Sequence, residues 1–392
     1  MGNPLDDAGM GGVLAGLRVL DVSLLGPAIL SMQLADLGAD VVKVEPPGGD
    51  YIRKVGWPVI DGATLLHWHS NRGKRSVVLD LTSEDDIRIF LELVKAADVL
   101  VEGMRPGALE RRGLGWERLR EANPKLVYCS ISGFGSTGPL AQLATHGAGF
   151  DSWAGLLVTQ PDEHDRPSLP EARMPIGYFA GPLWGAIGVL AGVLRARATG
   201  QGFRFEISQA GAAAATGAIA LSAQQYVNER KAAGEDTGGA PAFRGSVRLA
   251  IYKTNDGHVL FMATERKFWK NFCEAIARPD LYAAYPGKED YDHEQYNREL
   301  RDELDRIFAT RTMAGWVELG LERDFPIVQV HTPASLLEDE HFLSSAPWQE
   351  ADHPTKLLAT PIRPIGEPPA KVRRAPRPGE HTAEVLKDWL GR

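Results

Sequence analysis

The 392-residue chain predicts an α/β protein, with a large domain built on a parallel sheet flanked by helices and a smaller α+β domain after it. Three observations carry this. From residue 17 onward short apolar runs alternate with helical patterns, and that alternation lays strands in parallel with helices on the sheet faces. The polar, glycine-rich stretch "NERKAAGEDTGGAPAFRG" then breaks the pattern and marks a domain boundary. Beyond it, "VRLAIYKT" and "HVLFMAT" flank Asn255, Asp256 and Gly257, a strong hairpin signal. The expected divisions are 12–226 for the large domain, 242–330 for the small one and 335–392 for a C-terminal strap.

Taken in order, "LRVLDV" reads as a buried strand and "PAILSMQLADLG" as an amphipathic helix closed by Gly38. "DVVKVE" and "KRSVVLDL" are the next strands, and "SEDDIRIFLELVKAA" a helix with Ser83 at its cap. "DVLVEG", the helix "WERLREAN" and the strand "KLVYCSISGFG" follow. In "MPIGYFAGPLWG", Pro182 suits a first helical position, because its missing N–H has no partner there in any case. A helix is therefore expected from Pro182 to just before Gly200, with Tyr178 in a glycine-lined turn ahead of it. "FRFEISQ" alternates like a partly exposed strand. The small residues of "GAAAATGAIALSA" predict one long, closely packed, buried helix from about Ala210 to Gln225. In the second domain "KFWKNFCEAIA" and "NRELRDELDRIFATR" read as helices, and the proline-rich tail reads as a strap ending in one helix.

Composition excludes several function classes. Lys+Arg is 43 against Asp+Glu 51, a formal charge of −8, which argues against a general nucleic-acid binder. Cys129 and Cys273 are far apart inside apolar patterns, the usage of a reduced cytosolic protein. No CxxC pair offers zinc a site, and no metal is expected. The longest apolar run, "GPLWGAIGVLAGVL", is shorter than the roughly 20 residues that cross a bilayer. The N-terminus lacks the basic and apolar regions of a signal peptide, so a cytoplasmic protein is expected, without membrane partners.

The first strand-to-helix turn, "DVSLLGPA", lacks the G-x-G-x-x-G of a dinucleotide site, so Glu45 at the end of the second strand is a weak ribose hint and a dehydrogenase is not expected. His67 and His69 alone make a poor metal site. Arg72, Lys74 and Arg75 sit at a strand entrance and, with Arg105, Arg111 and Arg112, form a candidate surface for the phosphates of an anionic ligand. His146 lies on a glycine-set loop beyond a strand end, where α/β sheets bind ligands. Glu265 sits where a strand hands over to a helix. Tyr178 faces a helix N-terminus, a place built for negative charge, yet it is neutral at pH 7.

The ordered segments "GLRVLDVSLLGPAILSMQLADLGADVVKVEPPGGD", "NRGKRSVVLDL", "VEGMRPGALERRGLG", "SISGFGSTGP" and "RATGQG" resemble the family III CoA-transferases, which include formyl-CoA transferase, carnitine CoA-transferase and α-methylacyl-CoA racemase. The resemblance runs from about Gly16 to the tail. It implies a Rossmann-like large domain, a small domain inserted before the strap, and a homodimer of interlocked rings. It also implies an acyl-CoA substrate, with coenzyme A as part of that substrate rather than a resident cofactor. Arg72, Lys74, Arg75, Arg105 and Arg111 then fall on the CoA side. His146 and Glu265 fall where the racemase-type members keep a catalytic pair. Tyr178 falls where the family keeps its catalytic aspartate.

Without that aspartate, the residues favour acid–base chemistry at the acyl α-carbon, with His146 as base, Glu265 as its partner and Tyr178 as an oxyanion donor. A second reading is CoA transfer between carboxylic acids through another carboxylate, with Asp151 or Glu171 the nearest in the chain. A third is a non-catalytic acyl-CoA-binding protein.

Overall fold

The computed structural model describes residues 12–170, 174–235, 245–345, 348, 353–362, 364–366 and 371–392. The chain forms two compact units: Met1–Gln225 with Pro347–Arg392, and Tyr226–Ala346. The first unit is thus closed by the end of the chain.

The first unit begins β1 (Arg18–Val22), α1 (Ala28–Asp36), β2 (Asp40–Glu45), a short hairpin of β3 (Val59–Ile60) and β4 (Ala63–Thr64), then α2 (Leu65–Asn71) and β5 (Lys74–Val78). It continues α3 (Glu84–Ala96), β6 (Val99–Glu102), α4 (Trp116–Ala122), β7 (Val127–Ser132), α5 (Ala148–Trp153) and a hairpin of β8 (Gln160–Pro161) and β9 (Pro167–Ser168). Helix α6 (Ile176–Thr199), β10 (Phe203–Ser208) and α7 (Gln209–Thr216) follow, and α8 (Ala218–Ala232) begins in this unit and continues past Gln225 into the second. Six strands form one parallel sheet in the order β10-β7-β6-β1-β2-β5.

Period-two alternation assigns the two faces. Leu20, Val42, Val77, Leu100 and Tyr128 pack with Phe90 and Leu93 of α3, Leu119 of α4, and Val385 and Trp389 of the last helix, α15 (Thr382–Leu390). Val19, Val41, Val99, Val127 and Cys129 pack with Leu30 and Leu34 of α1 and Val189 and Val193 of α6. Strands buried on both faces read as continuous apolar runs, which is why the sequence marks them so clearly. β10 lies at the sheet edge, and its half-exposed pattern matches the expectation for "FRFEISQ".

The second unit holds β11 (Leu249–Lys253), β12 (His258–Met262), α9 (Arg266–Ala275), α10 (Pro279–Ala284), α11 (Arg298–Phe308), α12 (Met313–Arg323), β13 (Ile327–Gln329), α13 (Pro333–Leu336) and α14 (Glu340–Ser345). β11 and β12 form the expected antiparallel hairpin, and β13 adds to it. Tyr252, Phe261, Trp269, Phe272, Phe308 and Trp316 fill its core.

Three expectations are corrected. Helix α6 starts at Ile176, so Pro182 lies inside it and Tyr178 belongs to its first turn. Pro182 offers no N–H to the Tyr178 carbonyl, so the early turns lack one bond. The start is fixed upstream by a side chain from α5, described below. With 24 residues α6 is also long and apolar enough to cross a membrane. One face nevertheless lies on the sheet: a Cβ at Gly188 would stand 2.4 Å from Phe205 and one at Gly192 2.6 Å from Val127. Third, the small-residue segment is two helices. α7 buries Ala210, Ala212 and Ala213, whereas α8 buries nothing and leaves Ile219 89% exposed.

Candidate functional site

The sheet changes direction between β1 and β6: the chain steps from β1 to β2 on one side, and β6 lies on the other. Ligands of open parallel sheets bind beyond the carboxyl ends of the strands at such a point. Here that place is the β1–α1 loop, "SLLGP".

A buried charge network holds this loop. Asp21, at the end of β1, accepts from the Ser23 N–H (2.8 Å), the Ser31 hydroxyl (2.6 Å) and Lys74 Nζ (2.9 Å). Lys74 Nζ also donates to the Ala28 carbonyl and Asn71 Oδ1, and Lys43 Nζ to the Ser23 carbonyl. Burial alone raises the Asp21 carboxyl, but Lys74, Lys43 and the two serines outweigh it and hold it at about 2. Lys74 is pushed down to about 8, chiefly by burial, with Asp21 offsetting part of the cost. Lys74 therefore fixes backbone rather than facing a ligand.

Its basic neighbours behave alike, which corrects the expected phosphate surface. Arg72 is 2% exposed and bridges both Asp36 oxygens at 2.9 and 2.7 Å. Arg75 joins Asp40 (2.6 Å), Asp388 (2.8 Å) and Glu384 (3.2 Å). Arg72 is thus committed to a buried carboxylate and Arg75 to three partly exposed ones, so neither guanidinium is offered to a phosphate. Arg105 and Arg111, by contrast, are exposed, on the loop after β6. Glu45 is buried and bound by Arg53, Ser76 and the Asp50 N–H, so it reads no ribose. Burial pushes His67 down to about 3 and His69 to about 4, leaving both neutral. Among the described residues no cluster could hold a metal.

Helix α6 brings its N-terminus to the same loop. A Cβ at Gly26 would stand 2.8 Å from the Tyr178 ring and 3.0 Å from Gln209 Oε1. Burial pushes the Tyr178 phenol up to about 12, and the nearby Ser70 hydroxyl offsets this only in part. A phenolate nucleophile is thereby excluded at neutral pH. Tyr178 Oη, Ser70 Oγ and Gln209 Oε1 are buried without a well-formed hydrogen bond, Tyr178 and Ser70 having only a loose contact with each other. Removing an unsatisfied hydroxyl relieves its desolvation cost. Tyr178→Phe is accordingly expected to stabilise the protein by about 1 kcal/mol, raising Tm by roughly 2–4 °C in calorimetry; a fall in Tm would overturn this.

The carboxylate at this helix end comes from α5. Asp151 is 4% exposed, and its two oxygens accept from the Gly177 N–H at 2.8 Å and the Ile176 N–H at 3.1 Å. It caps α6 where the free N–H groups and the helix dipole favour an anion. Gly177 is required here, since a Cβ would meet Phe150 at 2.7 Å. Glu171, the other carboxylate considered, lies outside the described residues.

His146 is exposed on the segment entering α5, five residues before Asp151. Glu265 is exposed at the start of α9 in the second unit, where the Thr264 hydroxyl donates to it at 3.0 Å. The first unit thus brings Tyr178 and Gln209 against Gly26, with Ser70 beside Tyr178 and Asp151 on the N–H groups just before it. Sequence reasoning named the first two. Ser70 and Gln209 carried no signal, because a serine in a helix and a glutamine after a strand are ordinary until the fold juxtaposes them.

Known proteins place this geometry in context. The model of "CoA-transferase family III" matches residues 14–382. Succinyl-CoA:mesaconate CoA-transferase of Haloarcula hispanica is 35% identical over 96% of each chain. The alpha subunit of succinyl-CoA–L-malate CoA-transferase from Chloroflexus aurantiacus is 30% identical, over 96% of this chain and 89% of its own. The crystal structure of Rv3272 from Mycobacterium tuberculosis superposes with a TM-score of 0.80 at 27% identity, over 95% of this chain and 98% of that one.

Proposed function

Because the chain belongs to CoA-transferase family III, we propose that it moves CoA between carboxylic acids, with Asp151 as the carboxylate that carries the exchange. The observation behind this is the Asp151 carboxylate held on the N–H groups of Ile176 and Gly177, directly before Tyr178. Acid–base chemistry at the α-carbon through His146 and Glu265, the first expectation, gives way here, since the relatives are named CoA-transferases.

In the proposed cycle an Asp151 oxygen attacks the thioester carbonyl of the donor, and the tetrahedral adduct expels CoA thiolate to form a mixed anhydride. The thiolate attacks the Asp151 carbonyl carbon, releasing the donor acid as its carboxylate and leaving a thioester on the enzyme. The acceptor carboxylate then attacks that thioester and frees the thiolate again. Thiolate attack on the acceptor's carbonyl yields the new acyl-CoA and regenerates the Asp151 carboxylate. No proton or electron is gained overall. The α6 N-terminus stabilises negative charge on the attacking carboxylate, and the Tyr178 hydroxyl is placed to donate to a carbonyl oxygen as it becomes an oxyanion. Arg105 and Arg111 are the exposed cations proposed for the CoA phosphates. Dicarboxylic acyl groups are the proposed substrate class, by analogy with the succinyl-CoA of the relatives.

The test is to incubate the full chain with succinyl-CoA, alone and with mesaconate or L-malate, and follow acyl-CoA exchange and peptide masses. Transfer is expected with a hydroxylamine-sensitive adduct on the Asp151 peptide. An adduct on a different carboxylate, or CoA binding without transfer, would overturn the assignment.

A homodimer is proposed with it. Phe179, Leu183, Ile187 and Leu194 leave an apolar stripe on the outer face of α6, and Ile219 and Leu221 another on α8. Covering such faces is worth about 25 cal/mol per Å². Light scattering is expected to give a dimer mass down to nanomolar concentration; a folded monomer peak would refute it.

A further inference from the structure

On the sheet face opposite α6, a second polar site lies at the carboxyl ends of β6, β7 and β10. Glu102, Ser130 and Glu206 stand in one row across these three strands, being direct register partners. Tyr128 and Arg204 form part of the row beneath. Phe205, between Arg204 and Glu206, turns the other way toward α6, which fixes the face. With neighbouring strands about 4.8 Å apart, the two glutamates are separated by roughly 10 Å, with the Ser130 side chain between them.

The row lines a cavity of about 360 Å³ that Pro106, Gly107 and Ser136 help to close. Glu102 is 3% exposed. Its Oε2 accepts from the Tyr128 hydroxyl and the Leu109 N–H lies near the carboxylate, while its Oε1 makes no well-formed hydrogen bond. Glu206 accepts from the Ser136 N–H at 3.0 Å. Arg204, the cavity's cation, is engaged by Glu110 at 3.3 Å and stacks over the Tyr128 ring at 5.5 Å. The cavity therefore holds an excess of acceptors and one buried acceptor unmet. Buried polar atoms are paired as a rule, so an unmet one beside open volume points to a ligand.

We propose that this cavity is a binding site for a small organic cation with a primary ammonium group, separate from the acyl-transfer centre. The ammonium donates to Glu102 Oε1, the Ser130 hydroxyl and Glu206, using its three N–H bonds. A resident metal is a poorer match, since no set of three ligating side chains occurs among the described residues.

Protonation sharpens the expectation. Burial raises the Glu102 carboxyl to about 7, with Glu110 adding to this and Tyr128, Leu109 N–H and Arg204 opposing it. Glu206 faces it across Ser130. A cation binds the ionised form, so affinity rises as pH climbs through 7, by about tenfold from pH 6 to pH 8.

The experiment is calorimetry and thermal shift on the full chain with 1,4-diaminobutane at matched ionic strength, at pH 6 and pH 8. Saturable millimolar or tighter binding is expected, stronger at pH 8. Glu206→Gln, an exposed change that spares the fold, is expected to weaken it about tenfold, the scale of one charged hydrogen bond. Glu102→Gln is expected to weaken it and remove its pH dependence. No saturable binding, equal binding in Glu206→Gln, or displacement by magnesium chloride would overturn the proposal. Displacement by CoA would also overturn it, by making the cavity part of the CoA site. Because CoA transfer is not read, failure here leaves the Asp151 proposal untouched.

Discussion

Asp151→Asn is expected to abolish CoA transfer and the covalent adduct together while the protein stays folded. An amide keeps the size of the side chain, and its oxygen still accepts from the Gly177 N–H, so α6 keeps half of its cap. The amide nitrogen then meets the Ile176 N–H, donor against donor, at a cost of about 1 kcal/mol. Chemistry suffers far more, because a neutral amide does not displace CoA thiolate. A loss on the order of 10⁶-fold in kcat is expected, as for another removed nucleophile. Measuring kcat beside Tm separates the two roles. Transfer at a wild-type rate in Asp151→Asn would leave Asp151 a helix cap and nothing more.

Arg72→Met is expected to lower stability by about 3–5 kcal/mol, because it strands a buried carboxylate. Asp36 keeps the Thr360 N–H at 2.9 Å but loses both guanidinium bonds. For a unit of this size the Tm falls by roughly 10 °C. CoA affinity, measured at a temperature where the variant remains folded, is expected to be unchanged. This separates an internal anchor from the phosphate ligand that the sequence suggests. An unchanged Tm with CoA binding weakened tenfold would restore the phosphate role.

The contrast shows what sequence can carry. The sheet was legible because strands such as "DVVKVE" and "KLVYCSIS" are apolar over their length, and burial on both faces demands that. The start of α6 was not legible. Pro182 is a strong local signal for a helix beginning, but Asp151, 25 residues before Ile176, places the start. The basic cluster misled for the same reason. Its charges are visible in "NRGKRS", whereas their partners Asp21, Asp36 and Asp40 come from other elements. Tyr178 was readable as a departure from its family, and its unmet hydroxyl was not. The row of Glu102, Ser130 and Glu206 exists only once strand register is known, since its members are scattered over a hundred residues.

The closure of the first unit by the chain's last helix sets an order of events during synthesis. Arg75 leaves the ribosome early, yet Glu384 and Asp388, and the Trp389 indole that donates to Asp40 at 2.7 Å, emerge only after the second unit. Phe90 and Leu93 wait equally long for Val385 and Trp389. At about 5–20 residues per second, the interval is of the order of tens of seconds, and the whole second unit is made within it. A nascent chain stopped short of residue 382 has its sheet in place but one flank bare, with a guanidinium short of two carboxylates. Such chains are natural clients for chaperones and proteases, so loss of the last ten residues should be read first in cellular protein level and only then in turnover.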